Sequence, residues 1–304
     1  MPAATSIGDY AFYGCRALTS VDMPAATFIG HIAFCYCHAL TSVNMPAATT
    51  IGQWAFQACD ALTSVDMPSV TFIGVSAFAG CSALKSVDMP LATSIDKNAF
   101  YGCSALKSVD MPLATSIGKN AFSNCRALKS VDMPAAKSIG SGAFSPCAAL
   151  TSVSMPAVTS IGSDAFFGCK ALCDIYVGEQ PAVFESSTNP PFDKGTYANA
   201  TLHVPAGCAS KYKTTTPWGN FAFISEDYGP TGIKSTKADD VKIHTDNGFV
   251  QLIGLKEGEK VEFYSVSGQL LGAPIANSGT ASIATPEHVV ICKVGRKSIK
   301  ILVK

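Results

Sequence analysis

The chain has 304 residues with 22 basic and 22 acidic side chains, so its formal net charge is zero. This balance provides no long-range attraction to nucleic acid or to an anionic membrane surface. The mean hydropathy is +0.26, yet no apolar run approaches the roughly 20 residues that a membrane-spanning helix needs. We therefore expect an ordered chain with neither a nucleic-acid partner nor a transmembrane segment.

The first 178 residues repeat the same apolar residues every 22 positions. All eight methionines of the chain lie in this register: Met1, Met23, Met45, Met67, Met89, Met111, Met133 and Met155. Phenylalanine recurs with them from Phe12 to Phe166, and leucine recurs from Leu18 to Leu172. A strict period of 22 lies within the range of leucine-rich repeats, about 20–29 residues.

Each repeat contains the pattern of one short strand. Val21 and Met23 would lie on one face and Ser20 and Asp22 on the other, because successive side chains of a strand alternate between its faces. Pro24 lacks a backbone donor and should end the strand.

A short helical turn is predicted ahead of each strand. Ile7, Ala11, Phe12 and Cys15 follow a helical spacing, and Gly8 would take a left-handed turn conformation, which glycine adopts at little steric cost. One repeat cannot bury its apolar side, whereas stacked repeats form a continuous core. The predicted fold class is therefore an α/β repeat, a leucine-rich-repeat solenoid of 22-residue coils with a parallel strand ladder.

Cysteine follows the phenylalanine of each repeat by three residues. Eight of the twelve cysteines occupy this position: Cys15, Cys37, Cys59, Cys81, Cys103, Cys125, Cys147 and Cys169. Side chains stacked in parallel do not present the dihedral angle that a disulfide needs. We therefore interpret these residues as buried free thiols that pack like small hydrophobes, without a metal.

The repeat pattern L-x-x-V-x-M-P-x-x-x-x-x-I-G-x-x-A-F-x-x-C-x-x-L resembles the BspA-type leucine-rich repeat, which is frequent in surface proteins of Bacteroides and their relatives. The resemblance covers residues 1–178. The stretch from Thr201 to Phe221 resembles the closing coil of such arrays, with Trp218 and Phe221 sealing the end. The solenoid would then span residues 1–225, with the closing coil at 179–225.

A different pattern begins after a predicted linker at residues 226–240. Alternating apolar residues at 241–304 predict a small antiparallel β-sandwich-like domain. The segments V-E-F-Y-S-V-S-G-Q-L-L and G-R-K-S-I-K-I-L-V-K resemble the C-terminal sorting domains of secreted Bacteroidetes proteins. Together the resemblances imply an exported protein at the cell surface, at the outer membrane or outside the cell. Because Met1 starts in mid-pattern, we expect an export leader and a capping segment ahead of it.

No catalytic motif was found, so we expect no enzyme, no cofactor and no metal. The most regular polar feature is the strand face. Its candidate binding residues are the column Asp22, Asn44, Asp66, Asp88, Asp110 and Asp132, with Lys85, Lys107 and Lys129 three residues before three of the acids. One interpretation is a solvated face whose lysines offset carboxylate repulsion. The other is a docking ladder for a partner or for weakly bound divalent cations.

A second candidate is an apolar patch of Tyr10, Ile32 and Trp54, confined to the first three repeats. It could contact a partner, or it could pack beneath the expected N-terminal cap. We interpret His31 and His38 as solvent-facing variants of the repeat.

The predicted function is non-enzymatic binding or adhesion, in which the solenoid surface contacts protein or glycan ligands, including host extracellular matrix. One alternative is a structural spacer that displays another module. The other is an accessory or inhibitor module of an enzyme partner.

Overall fold

The computed structural model describes residues 4–185 and 189–226, and in the C-terminal region residues 242–246, 249–253, 255, 257–258, 260–265, 270–278, 280–285, 289–294 and 297–302. The chain forms two compact units, Met1–Pro230 and Thr231–Lys304. The predicted linker at 226–240 lies outside the described residues, apart from residue 226.

The N-terminal unit is a solenoid of 22-residue coils. We number coil 1 as residues 1–22 and coil 8 as residues 155–176, and we name each repeat position by its residue number in coil 1. The main ladder contains one parallel strand from each coil and two from the closing coil: Ser20–Asp22, Ser42–Asn44, Ser64–Asp66, Ser86–Asp88, Ser108–Asp110, Ser130–Asp132, Ser152–Met155, Asp174–Val177, Thr201–His203 and Phe223–Ser225. Strands of adjacent coils pair residues that are 22 positions apart in the sequence, as in Ser20 opposite Ser42.

A second parallel ladder, which the sequence pattern did not predict, runs along another side of the solenoid. Its nine two-residue strands form one sheet: Ser6–Ile7, Phe28–Ile29, Thr50–Ile51, Phe72–Ile73, Ser94–Ile95, Ser116–Ile117, Ser138–Ile139, Ser160–Ile161 and Val183–Phe184. The isoleucine of each repeat points into the core, and its neighbour points outward. The stacked, parallel-strand solenoid is therefore confirmed, with two ladders rather than one.

The predicted helical turn is wrong, because repeat positions 9–14 form consecutive turns instead. Tyr13 N donates to Tyr10 O at 3.1 Å, and Cys15 N donates to Phe12 O at 3.1 Å. Tyr10 has φ +57°, whereas an α-helix requires a φ near −63°. Its N–H donates across to His31 O in the next coil at 2.9 Å. Hydrogen bonds between coils thus replace those that a helix would make.

The prediction for Gly8 is also wrong, because the left-handed residues lie at positions 10 and 14. In the later coils, glycine is favoured at position 8 for a steric reason rather than for its backbone conformation. A Cβ on Gly30 would lie 2.6 Å from Gly8 C, and one on Gly52 would lie 2.7 Å from Gly30 C. Close approach of successive backbones therefore favours glycine, although Asp96 is accommodated at this position.

The core is a stack of phenylalanine rings along the solenoid axis. Successive rings from Phe12 to Phe166 are 4.9–5.3 Å apart and within 6° of parallel. Phe192 of the closing coil continues the stack at 5.1 Å. Beside the rings, the seven in-register thiols from Cys37 to Cys169 each donate a hydrogen bond to the carbonyl oxygen of the phenylalanine 25 residues earlier. For example, Cys59 Sγ donates to Phe34 O at 3.1 Å.

The closing coil seals the C-terminal end of this core. It contains helices Lys194–Asn199 and Ala209–Thr214 and the 3-10 helix Trp218–Asn220. Trp218 and Phe221 are buried, as predicted, and Trp218 Nε1 donates to Ala182 O at 2.8 Å.

The C-terminal unit is antiparallel, as predicted. One sheet contains Lys242–Asp246, Phe249–Ile253 and Thr280–Ala284, and the other contains Val261–Ser265, Leu270–Gly272, Val289–Val294 and Lys297–Leu302. Side chains from both sheets, among them Leu252 and Phe263, share one buried cluster. None of the helices that the structure describes has the length and apolar composition of a membrane-spanning segment.

Candidate functional site

The strand face carries the predicted column of polar side chains at repeat position 22. Its members are exposed: Asp22, Asn44, Asp66, Asp88, Asp110 and Asp132. The strand register places Asp22 opposite Asn44 and Asn44 opposite Asp66. Asn44 Nδ2 donates to Asp22 Oδ1 at 2.8 Å, so an amide bridges the first two coils.

The main ladder divides into sheets of three, two and five strands. The breaks fall between Asp66 and Asp88 and between Asp110 and Asp132, where carboxylates of adjacent coils face each other. Like charges directly opposite each other destabilise a strand pair, which is a physical reason for breaks here. Asp88 and Asp110 nevertheless remain paired, so repulsion alone does not set the pattern.

The three candidate lysines occupy repeat position 19, one residue before the strand. Lys107 N donates to Lys85 O at 2.8 Å, and Lys129 N donates to Lys107 O at 3.4 Å, so the three lie in one column. All three side chains are exposed. The lysines therefore border the carboxylate column at the start of each strand.

The turn side of coils 1–3 carries a connected group of six rings, which we call the aromatic strip: Tyr10, Tyr13, His31, Tyr36, His38 and Trp54. Ring centroids are 5.1 Å apart for Trp54–His31, 5.6 Å for His31–Tyr10, 6.1 Å for Tyr10–Tyr13, 5.9 Å for Tyr13–Tyr36 and 5.9 Å for Tyr36–His38. The three tyrosines are 54%, 52% and 41% exposed. The strip is therefore a contiguous aromatic surface open to solvent.

The backbone beneath the strip is left-handed at residues that rarely adopt this conformation. Tyr10, Ile32, Tyr36 and Trp54 have φ angles of +57°, +56°, +62° and +56°. For bulky residues, and above all for β-branched isoleucine, such angles are steric outliers. Repeat position 10 in coils 4–8 instead carries Ser76, Asn98, Asn120, Gly142 and Asp164.

Two carboxylates lie at the edges of the strip. Asp9 Oδ1 accepts from the backbone N of His31 at 2.7 Å, and Asp60 Oδ2 lies 2.7 Å from His38 Nδ1. Both aspartates are exposed. The second oxygen of each makes no hydrogen bond within the described residues. These contacts hold the carboxylates in place while leaving acceptor capacity for a ligand.

The structure thus brings the predicted patch of Tyr10, Ile32 and Trp54 into one column, since Tyr10 N and Ile32 N donate to the next coil at 2.9 Å. Ile32 and Trp54 are half-buried. The interpretation of His31 and His38 as solvent-facing variants missed their role in joining the rings. Alignment of repeat positions 9, 10, 13, 14 and 16 would have shown that aromatic residues are concentrated in coils 1–3.

A smaller polar cluster lies at the end of the main ladder. His203 Nε2 is 3.0 Å from Asp174 Oδ1, and the His203 ring stacks on Tyr176 at 4.3 Å. The exposed thiol of Cys173 donates to Asp174 Oδ2 at 3.3 Å. The carboxylate contacts both the thiol and the imidazole, so this is not the arrangement in which a base activates a nucleophile.

Metal binding has no support from side-chain geometry in the part of the chain that the structure describes. No group of three or more His, Cys, Asp or Glu residues there could hold a metal ion. All twelve cysteines are free thiols, and seven of the eight in register are buried as predicted. The prediction is wrong for Cys15 of coil 1, which is exposed.

Comparison with protein families gives the solenoid its classification. Residues 5–114 and 93–189 match the family described as "BspA type Leucine rich repeat region". The chain belongs to this family. Residues 230–303 match a second family, described only as a domain of unknown function. The resemblance of the C-terminal domain to a sorting domain is therefore not confirmed.

Solved leucine-rich repeat structures are also similar to this BspA-type chain. One is the Treponema pallidum leucine-rich repeat protein, at 29% identity over 53% of this chain and 73% of that chain, with a TM-score of 0.43. Another is a leucine-rich cell surface protein of Faecalibacterium prausnitzii, at 26% identity over 74% of this chain and 87% of that chain, with a TM-score of 0.41. Among curated proteins nothing matches.

Proposed function

We propose that this BspA-type chain is a non-enzymatic binding or adhesion protein, exported and then displayed or secreted, whose ligand contacts the aromatic strip. The single observation that carries the proposal is the left-handed backbone beneath Tyr10, Ile32 and Trp54. Bulky residues in this conformation cost of order 1–3 kcal/mol each and cluster at functional sites. The solenoid itself does not need them, because Ser76 and Asn98 occupy the same position in coils 4 and 5.

The composition of the strip supports a role in recognition. Tryptophan and tyrosine are enriched among the residues that dominate binding energy at protein interfaces. They provide large contact areas at low conformational cost, because each has only two side-chain torsions. Tyr10 and Tyr13 are each more than half exposed, so a ligand can reach them without rearrangement of the solenoid.

The strand face is a second candidate surface, supported by the exposed polar column at repeat position 22 of coils 1–6, in which every member but Asn44 is an aspartate. Its uniform residues offer less specificity than the strip. If neither surface binds a ligand, the chain is better described as a spacer. If it forms a stable complex with one catalytic partner, it is an accessory or inhibitor module.

A binding array of immobilised matrix proteins and glycans tests the proposal. We expect saturable binding by the wild type and its loss in the variant Tyr10→Asn/Trp54→Asn. The variant Asp66→Asn/Asp88→Asn tests the strand face in the same way. The control is Tyr101→Ala, which removes an exposed tyrosine of coil 5. Binding that survives in the strip variant would contradict the proposal, and wild-type protein that binds nothing would favour the spacer.

A further inference from the structure

The charge of the solenoid changes along its axis together with the aromatic residues. Coils 1–3 carry four aspartates against one basic residue, Arg16. No lysine or arginine occurs between residues 17 and 84. Coils 4–6 carry four aspartates as well, but against six basic residues: Lys85, Lys97, Lys107, Lys119, Arg126 and Lys129. The aromatic strip therefore lies in the acidic part of the solenoid, next to a basic part.

The same contrast holds at single repeat positions. Position 9 carries Asp9 and His31 in coils 1 and 2, but Lys97 and Lys119 in coils 5 and 6. These residues lie in one column, because Ser76 N donates to Lys97 O and the following coil repeats this bond, each at 2.9 Å. Aromatic and acidic residues thus occupy one end of the turn side, and amides and lysines occupy the next coils.

The rings of the strip are arranged to leave faces available to a cation. Neighbouring rings meet at angles of 80° for His31–Tyr10, 66° for Tyr10–Tyr13 and 75° for Tyr13–Tyr36. In each of these contacts the positive edge of one ring meets the face of its neighbour, so a pair covers one ring face and leaves the opposite face of that ring free of this contact. Lysine ammonium and arginine guanidinium groups are attracted to such faces within about 6 Å of the centroid.

From these observations we infer that the ligand of the strip is a cationic protein segment rich in arginine or lysine. Its side chains contact the exposed ring faces and the acceptor oxygens of Asp9 and Asp60. The inference depends on the strip being the binding surface, as proposed above, and adds the chemistry of the partner. The lysines of coils 5 and 6 repel the same segment, so they confine it to coils 1–3. Arg16 shares repeat position 16 with His38 and Asp60, so its positive charge would disfavour extension of the segment along this position into coil 1.

A neutral oligosaccharide fits these features less well. Adjacent rings tilted by 66–80° do not form one flat platform along which successive sugars could stack. Neutral sugars would also gain nothing from the separation of charge between coils 1–3 and coils 4–6.

Tryptophan fluorescence of the full chain provides the test. Trp54 is half-buried in the strip, and Trp218 is 1% exposed in the closing coil, so a ligand on the strip changes the emission of Trp54. The probes are hexa-arginine, hexa-glutamate and neutral cellohexaose. We expect a saturable change with hexa-arginine alone, weakening about tenfold or more between 50 and 300 mM salt, since exposed charges are screened at higher ionic strength.

The matched variants are Asp9→Asn/Asp60→Asn and Asp22→Asn/Asp66→Asn, which remove the same charge from the same coils on different faces. The first should weaken hexa-arginine binding about tenfold, a difference of 1.4 kcal/mol, and the second should change it little. Equal loss in both would show a net-charge effect and overturn the inference. Absence of a response to hexa-arginine would also overturn it. If cellohexaose binds instead and Tyr10→Asn, which keeps the Trp54 reporter, abolishes this, the proposed binding function stands and the cationic partner is wrong.

Discussion

Repeat position 10 is left-handed in all eight coils, with φ between +54° and +64°. The residue at this position decides whether that geometry is strained. Asparagine, aspartate and glycine tolerate it, whereas isoleucine and tryptophan do not. Coils 1–3 therefore carry a local steric cost that coils 5–8 avoid, and we propose that ligand binding by the strip is the reason for it.

The first prediction concerns Ile32. The substitution Ile32→Asn should raise the free energy of unfolding by about 1 kcal/mol, because asparagine tolerates the left-handed region that costs other residues about 1–2 kcal/mol. Urea unfolding followed by circular dichroism measures this. The reverse change in a matched coil, Asn98→Ile, should lower stability by a similar amount. Destabilisation by Ile32→Asn would show that the packing of Ile32 outweighs its backbone strain.

The thiols give a second prediction at this scale. Cys15 and Cys173 are exposed, and the other ten cysteines are buried. Burial raises the pKa of the Cys37 thiol to about 11 and that of Cys125 to about 12, and it is the thiolate that reacts. An aromatic disulfide reagent at pH 8 should label two thiols rapidly in the native protein and all twelve after unfolding. Rapid labelling of more than two would contradict the buried ladder.

At the scale of the element, the stack of phenylalanine rings is one source of cohesion between coils. Phe100 is fully buried, with rings 5.2 Å away on both sides. Phe12 is only partly buried and stacks on one described ring, Phe34, at 4.9 Å. The phenylalanine of the repeat is therefore fully buried between two rings in an interior coil but partly exposed in coil 1.

This difference is testable by truncation. Phe100→Ala should cost about 3–5 kcal/mol, the usual range for a buried phenylalanine. Phe12→Ala should cost clearly less, because the ring is partly solvated before the substitution. Chemical unfolding of both variants under one set of conditions provides the comparison. Equal losses would mean that the interior stack contributes no more than the first coil does.

The elements also show which parts of the fold the sequence determines. Apolar spacing predicted the strand Ser20–Asp22, the inward cysteines and the buried phenylalanines, because these depend on which side chains meet the core. It misassigned positions 9–14 as helical, because bonds such as Phe12 N to Ala33 O, at 2.7 Å, are made between coils. A pattern confined to one repeat contains no information on bonds to the next. The two-residue second ladder was missed for the same reason.

At the scale of the whole molecule, the thiol ladder links stability to pH. Burial raises the pKa of Cys59, Cys81 and Cys103 above the ordinary value, as it does for Cys37 and Cys125. Their contribution to stability is fully present below the unfolded-state thiol pKa, near 9. It is lost as pH rises towards the folded-state values, because the unfolded chain releases its protons first.

We therefore expect the free energy of unfolding to fall steeply between pH 9 and pH 11, by about 1.4 kcal/mol per pH unit for each such thiol. Urea unfolding midpoints measured at intervals from pH 7 to pH 11 would show this loss of stability. The variant Cys103→Ala/Cys125→Ala, although less stable at pH 7, should have a shallower slope. A flat profile up to pH 11 would contradict this linkage.

The candidate site illustrates why function was harder to predict than fold. Tyr10, Ile32 and Trp54 were recognised because they share one repeat position. The contacts of His31 with Tyr10 and Trp54, at 5.6 and 5.1 Å, depend on how coils stack and on a left-handed backbone. Neither follows from apolar spacing. Residues that vary between coils acquire neighbours only when the solenoid forms.

The central claim is that coils 1–3 retain bulky left-handed residues for contact with a ligand rather than for stability. The most direct test measures both the free energy of unfolding and ligand binding for Tyr10→Asn/Ile32→Asn/Trp54→Asn. The account predicts stability equal to or above that of the wild type, together with a loss of binding of about tenfold or more. A variant that is several kcal/mol less stable, or that binds as the wild type does, would contradict it.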